Sequence, residues 1–315
     1  MRKRRLINLK HYDVIVVGGG PAGLTASIYA LRSGRSVLMI EGNVIGGQSS
    51  ASFEIANYPG IELITGIDLA MKMHAQADKL GLVTEYDTVE KIDCVNKLIS
   101  TKSSDFKAGC IILAMGAKPR KLNLENEESL TGQGVHYCAT CDGSFYKDKK
   151  VIVVGGGNTA VEDAIYLANI CSEVTMVVRS EKLRSDDVFK ERLNSLQSQG
   201  KLKIFFNTRL SEIITNNQQQ IVGAKVSANG KEEKVAIDGV FIAIGREPDV
   251  GLIKDQIVLN EKGYIVANEK MHTNIEGVFV AGDVREKDVR QIITACADGA
   301  IAGVEANHYL NCKRG

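Results

Sequence analysis

The sequence predicts an α/β protein made of two Rossmann-like dinucleotide-binding domains, the second inserted into a discontinuous first. Three observations carry that prediction. Two glycine fingerprints of the same kind open at Gly18 and Gly155, 137 residues apart. A closing-strand pattern also occurs twice, as "IILAMGAKP" at 111–119 and "VFIAIGREP" at 240–248, with Gly116 and Gly245 129 residues apart. A further apolar segment, "GVFVAGDV" at 277–284, has no second copy.

The first unit opens with residues 14–17, a short apolar run suited to a parallel strand covered on both faces. Gly18, Gly20 and Gly23 follow at Gly-x-Gly-x-x-Gly spacing. In that pattern the first glycine makes the tight turn, the second lets backbone approach a pyrophosphate, and the third lets the helix pack closely on the sheet. Pro21 suits the first helical position, where its missing N–H is no loss. Leu24, Ile28 and Leu31 lie on roughly one face of the predicted helix, which stops at Gly34. Residues 37–40 form a second strand ending in Glu41, 23 residues past Gly18 and placed to accept hydrogen bonds from a ribose diol.

The second unit repeats the scheme. A strand over 151–154 leads into Gly155, Gly157 and Ala160, an accepted variant of the third glycine. Ala164, Ile165 and Ala168 point the next helix toward a sheet, and 174–178 reads as the following strand. A polar, β-rich segment and the strand ending at Gly245 close this unit. The surplus strand before Ala281-Gly282-Asp283, with its helix carrying Ala297, Ala300, Ile301 and Val304, is therefore assigned to the first unit. The expected boundaries are 1–117, 118–246 and 247–315. Two dinucleotide sites in one chain imply electron transfer between two cofactors.

Composition excludes several classes. With 44% apolar and 24% charged residues in 315, the chain is an ordinary globular protein with a real core. A net charge of +1 gives no footprint for nucleic acid or an anionic membrane. The basic start "MRKRR" is followed by a short polar stretch rather than the apolar run of a secretory signal, so it reads as a loosely packed arm. No apolar run approaches the ~20 residues of a membrane span, and a cytoplasmic protein is expected.

Among seven cysteines only Cys138 and Cys141, in "HYCATCDGSF" (136–145), form a close pair. Cys110 and Cys171 border apolar runs and read as small buried hydrophobes. The pair admits three readings: a redox disulfide, part of a metal site with His136, or two unrelated thiols. Tetrahedral structural zinc needs four ligands, and no partner cluster stands nearby. The Cys-x-x-Cys spacing suits a redox disulfide and can lower one thiol's pKa.

Together, "GGGPAG", "GGQ" (46–48), "NYPG" (57–60), "CATCDG" (138–143), "GGGNTA" (155–160) and "GVFVAGDV" resemble bacterial-type, low-molecular-weight thioredoxin reductases over nearly the whole chain after residue 11. The resemblance implies a homodimeric flavoprotein in which an FAD domain is split around an NADPH domain. Electrons would pass from NADPH to FAD, then to the Cys138–Cys141 disulfide, then to thioredoxin. It assigns Gly18, Gly20, Gly23, Glu41, Gly47, Gln48, Asn57, Gly116, Gly282, Asp283, Arg290 and Gln291 to FAD. Gly155, Gly157, Asn158, Thr159, Arg179, Arg184 and Gly245 fall to the nicotinamide nucleotide. Cys141 would face the flavin, Cys138 would attack thioredoxin, and Asp142 would manage protons. Domain rotation would hinge on the crossings near 117–120 and 245–249.

The chain departs from the family where His-Arg-Arg-x-x-x-Arg grips the 2′-phosphate. Here Val178 and Ser180 leave only Arg179 and Arg184 of that clamp. The "IAN" at 55–57 also replaces a Val-Glu-Asn. NADPH is the favoured donor, with NADH or reduced ferredoxin as alternatives. A thioredoxin-like partner or a low-turnover flavin redox sensor is the remaining alternative reading. Cys312 is single and reads as a free, exposed thiol.

Overall fold

The computed structural model describes residues 9–52, 54–185, 187–228 and 230–314. The basic arm at the start of the chain lies outside them. The chain divides into two compact units. One takes the described residues up to Ala51, Tyr58–Lys118 and those from Glu247 onward; the other takes Ser52–Asn57 and Pro119–Arg246.

The first unit is built on a sheet in the order Val83–Glu85, Val37–Ile40, Lys10–Val17, Asp105–Leu113, Leu98–Thr101, Val89–Asp93. The fingerprint strand is central and parallel to both its neighbours, and its last four residues are fully buried or nearly so. That explains why they read as unbroken apolar sequence. Val278–Val280 pairs in parallel with Ile111–Leu113, so the unmatched strand belongs to this sheet.

Helix Pro21–Arg32 begins at Pro21 and buries Leu24 and Ile28. It packs against the long helix Ile292–Arg314, but not through the apolar residues that mark that helix in the sequence. Ala297, Ile301 and Val304 are exposed, and Ala300 is only half-buried. The inward face is instead Ala295, Gly299, Ala302, Gly303 and Ala306. A Cβ on Gly299 would stand 2.2 Å from the Ala22 carbonyl oxygen, and one on Gly303 would stand 2.7 Å from that of Ala26. The two helices are so close that the contact selects the smallest residues rather than the most apolar. Arg35 braces the same pair, its Nε donating to Asn307 Oδ1 at 2.8 Å.

The second unit has a fully parallel sheet in the order Leu202–Phe205, Glu173–Val177, Lys150–Val154, Gly239–Ile242, Val135–His136. The polar, β-rich segment forms an antiparallel three-stranded sheet, Thr208–Thr215, Ile221–Ala228 and Lys231–Val235. Helix Asn158–Ala168 buries Ala160, Ala164, Leu167 and Ala168, while Ile165 is half-buried.

The two closing-strand echoes end in a common feature. Ala117–Pro119 and Arg246–Pro248 pair as a two-stranded ribbon. Arg120 N–H donates to the Gly245 carbonyl at 3.0 Å, and Asp249 N–H donates to that of Gly116 at 3.2 Å. The chain thus leaves and re-enters the first unit along two adjacent strands. No helix among the described residues is long and apolar enough to cross a membrane.

Gly299→Ala is expected to lower the thermal midpoint by about 3 °C or more, since overpacking costs about 1–3 kcal/mol. Gly251→Ala, where no atom lies within 4 Å of the added Cβ, should leave the midpoint unchanged. Differential scanning calorimetry of the two variants checks both.

Candidate active site

The redox turn grows out of the edge strand Val135–His136. Cys138 caps a single helical turn, Ala139–Asp142, and its carbonyl accepts from Cys141 N–H at 3.3 Å and Asp142 N–H at 3.1 Å. That turn brings the two thiols to one side, and they are joined as a disulfide with their Cα atoms 5.3 Å apart. Both cysteines are half-buried. Ala139 is buried beneath, and a Cβ on Gly143 would stand 2.8 Å from Leu167 Cδ2. The redox turn therefore sits directly on the second fingerprint's helix.

The other thiols are of a different kind. Burial pushes Cys94 and Cys171 up to about 11, with Asp93 adding to the effect at Cys94 and Asp148 and Asp238 at Cys171. Burial pushes Cys110 up to about 12, helped by Asp13. Held protonated in the core, these thiols are poor nucleophiles. Cys312 is free and exposed.

In the first unit, Gly18 turns with φ +107°, and a Cβ there would stand 2.3 Å from the Ala114 carbonyl oxygen. Gly23 would meet the Gly18 carbonyl at 1.9 Å, so the helix packs directly onto the turn. Gly20 is different: its nearest protein atom would be 3.9 Å away. Glu41 is buried at the strand end. Its Oε2 accepts from Gly19 N–H at 2.7 Å and its Oε1 from Asn43 N–H at 2.8 Å. Each carboxylate oxygen keeps a lone pair for a further donor. The "GGQ" turn is tied to the fingerprint, with Gly46 N–H donating to the Gly19 carbonyl at 2.8 Å. A Cβ on Gly47 would stand 3.5 Å from Gly20 Cα, and Gln48 lies in the helical turn Gly47–Ala51.

Gly282 comes to the same fingerprint helix, its Cβ position 2.8 Å from Ala22 Cβ. Its N–H donates at 3.0 Å to Asp298, a buried carboxylate that also receives Arg285 Nε at 2.9 Å and Lys287 Nζ at 2.8 Å. Burial alone would raise the Asp298 pKa, but the Arg285 and Lys287 hydrogen bonds outweigh it and the carboxyl titrates below its ordinary value. This buried cluster fixes the turn that carries Asp283. Arg290 lies over the Tyr264 ring at 4.2 Å, and its buried Nε has no hydrogen-bond partner among the described residues. Gln291 stands at the start of the C-terminal helix. Gly116, with φ +72°, lies beyond the strand end at the ribbon. Asn57 is exposed and falls in the short segment grouped with the second unit.

The second fingerprint repeats these glycine contacts. Gly155 turns with φ +146°, its Cβ position 2.4 Å from the Ala243 carbonyl oxygen, while Gly157 has nothing within 4 Å. Asn158 and Thr159 stand exposed at the first two helical positions. Arg179 and Arg184 are exposed on the loop after the next strand, and Arg184 N–H ties that loop to the Gly156 carbonyl at 2.7 Å. Val178 is 1% exposed, and a Cβ on Gly156 would stand 2.8 Å from its Cγ1. The position where the family carries a histidine therefore serves packing here. Ser180 Oγ donates to the Lys182 carbonyl at 2.8 Å. Gly245, with φ +104°, has only the Arg120 side chain near its Cβ position.

Several residues escape the sequence reading. His136 sits between Asp142 and Tyr146, and among the described residues no group of three or more His, Cys, Asp and Glu is arranged to hold a metal ion. Burial pushes Asp163, on the second fingerprint helix, up to about 7, with Glu162 adding to the effect and Arg246 opposing it. Asp298 carried the one legible signal, a lone acid within a run of small residues.

Both cradles fit a dinucleotide. The first and third fingerprint positions are closed by protein, whereas Gly20 and Gly157 face open space at uncapped helix N-termini, where backbone N–H groups and the helix dipole favour a phosphate. The buried, unpartnered Arg290 Nε in the first unit is a donor awaiting an acceptor.

Residues 12–299 match the pyridine nucleotide-disulphide oxidoreductase family. The chain is 42% identical over 306 residues to a thioredoxin reductase of Bacillus subtilis, covering 96% of this chain and 95% of that protein. It is 40% identical over 313 residues to a 34.2 kDa protein in the rubredoxin operon of Clostridium pasteurianum, covering 96% of this chain and 99% of that one. The crystal structure of a thioredoxin reductase from Streptococcus pyogenes superposes with a TM-score of 0.88 at 40% identity, covering 96% of this chain and 99% of that one. This chain belongs to the pyridine nucleotide-disulphide oxidoreductase family.

Proposed function

We propose that this protein is a thioredoxin-disulfide reductase that draws electrons from NADPH through FAD and delivers them to thioredoxin through Cys138 and Cys141. The observation that carries the reading is the half-buried disulfide seated on the second fingerprint's helix. Relatives at 40–42% identity that bear the thioredoxin reductase name support it.

The first unit's cradle, with Gly18, Gly20, Gly23, Glu41, Gln48, Asp283 and Arg290, is the proposed FAD site. The second unit's, with Gly155, Gly157, Asn158, Thr159, Arg179 and Arg184, is the proposed NADPH site. Bound there, the flavin supplies a two-electron carrier between a reduced nicotinamide and a disulfide. Arg179 and Arg184 hold the 2′-phosphate, since a guanidinium fork matches phosphate geometry. The missing third arginine weakens NADPH without offering the carboxylate that would select NADH at the strand end.

The exchange with the partner balances on this chain's own residues. In the reduced pair, the Cys138 thiolate attacks the partner's disulfide. A Cys138–partner S–S bond forms, the partner's S–S bond breaks, and the released sulfur takes a proton. Cys141 then attacks Cys138 Sγ, re-forming the Cys138–Cys141 bond and releasing the second partner sulfur, which takes the second proton. The two electrons and two protons are those of the reduced cysteine pair. Asp142, next in sequence to Cys141, is the group that accepts and returns a proton.

Anaerobic stopped-flow spectroscopy tests the donor. NADPH should bleach the flavin absorbance faster than NADH. Arg184→Ala should weaken NADPH by about 10–100-fold, the equivalent of roughly 1.5–3 kcal/mol for a hydrogen bond to a charged group, and leave NADH unchanged. Bleaching by NADH at least as fast as by NADPH would overturn the donor assignment. The open glycines give a separate expectation. Gly20→Ala should purify with reduced flavin content, and Gly157→Ala should raise the KM for the nucleotide, each with an unchanged thermal midpoint when compared with the parent protein stripped of cofactor. A lowered midpoint with normal cofactor binding would contradict a ligand-facing role.

A further inference from the structure

His136 and Asp142 meet at the base of the redox turn. His136 Nδ1 lies 3.1 Å from Asp142 Oδ2, their side chains 6% and 15% exposed. On its other edge, His136 Nε2 is 2.8 Å from the Tyr146 hydroxyl. The ring is clamped between aromatic neighbours. It stacks on Phe241, its partner across the parallel strand pair, with centroids 5.2 Å apart and planes at 27°. It meets Tyr146 edge-on at 5.2 Å, and Tyr146 in turn packs edge-on against Phe241. The imidazole cannot rotate without breaking this cluster, so each nitrogen faces a fixed group.

Tyr146 satisfies Nε2, while Nδ1 has no hydrogen-bond partner among the described residues. The second nitrogen is buried 3.1 Å from the carboxylate that directly follows a redox cysteine, too poorly aligned with it to count as a hydrogen bond. We infer that His136 is the positioning residue for Asp142, holding its carboxylate in one orientation through this close contact and linking it to Tyr146. This rests on the reading that Cys138 and Cys141 exchange with a partner disulfide.

The bond directions are consistent. Burial pushes the Tyr146 hydroxyl well above its ordinary value, reinforced by Asp142, Asp238 and Cys171. It stays protonated and can donate to Nε2; in that tautomer the ring proton sits on Nδ1, on the Asp142 side. Lys149 Nζ, 5.3 Å from the centre of the Tyr146 ring, lies on the tyrosine rather than the carboxylate. In the exchange, Asp142 takes the proton that the attacking thiol gives up and returns it to the departing sulfur. His136 performs no transfer of its own; it fixes where the proton is held.

The test uses the flavin-loaded protein as His136→Phe, His136→Asn, Asp142→Asn and Cys138→Ser. Two pH profiles are measured: exchange with oxidised bacterial thioredoxin, and iodoacetamide alkylation of the reduced cysteine pair read by mass spectrometry. The parent protein should show an inflection that Asp142→Asn removes. In His136→Phe, which keeps the stacking, exchange should slow by about tenfold and the Asp142-dependent inflection should be displaced, because the carboxylate loses the neighbour that fixes its orientation. His136→Asn places an amide donor near the Nδ1 position and should bring the inflection back. A His136→Phe profile superimposable on the parent's, with an unchanged thermal midpoint, overturns the inference. So does a displaced profile that His136→Asn fails to restore, or an Asp142→Asn profile identical to the parent's. Exchange that survives Cys138→Ser overturns instead the reading on which the inference rests.

Discussion

The structure depends on one close approach made twice. At the end of each fingerprint strand the chain turns so near the next strand that no side chain fits. A Cβ at Gly18 would stand 2.3 Å from the Ala114 carbonyl oxygen, and one at Gly155 would stand 2.4 Å from that of Ala243. With the turn pinned there, the following helix starts at a fixed point, and the second glycine of each fingerprint faces open space. The strands that make this approach, Asp105–Leu113 and Gly239–Ile242, run on into Gly116 and Gly245 and then into the paired ribbon. The same strands thus set both cradles and carry the chain between the two units.

Much of this was legible because backbone geometry constrains sequence tightly. Glycine is required where φ is positive, as at Gly18 and Gly155, or where a carbonyl crowds the Cβ position, as at Gly23, so these positions announce themselves. Strands buried on both faces must read as unbroken apolar runs, which marked residues 14–17 and 151–154. The unmatched strand was assignable because a sheet needs a closing partner, and Val278–Val280 pairs with Ile111–Leu113.

What escaped the sequence reading depends on groups far apart in the chain. The face of the C-terminal helix is chosen by the helix it meets: Gly299 and Gly303 are inside because the backbone of the first fingerprint helix is there. Asp298, Arg285 and Lys287 form one buried cluster only after the chain has folded. A buried carboxylate left without its cations would be costly, so the three stand or fall together. In the sequence His136 stood only as a possible metal ligand beside the cysteines. Its meaning appears only when Tyr146 and Phe241 fix its ring. The 2′-phosphate clamp shows a related effect, since Val178 is spent on packing beneath Gly156 and the loop beyond must supply the charge.

The central claim is that Cys138 attacks the partner and Cys141 resolves the adduct. Trapping tests it directly. Cys141→Ser lacks the resolving thiol, so incubation with oxidised thioredoxin should yield a covalent complex on a non-reducing gel. Dithiothreitol should dissolve that complex, and mass spectrometry should place the link at Cys138. Cys138→Ser should give no such complex. A complex formed by Cys138→Ser and absent from Cys141→Ser, or absent from both, would contradict the account.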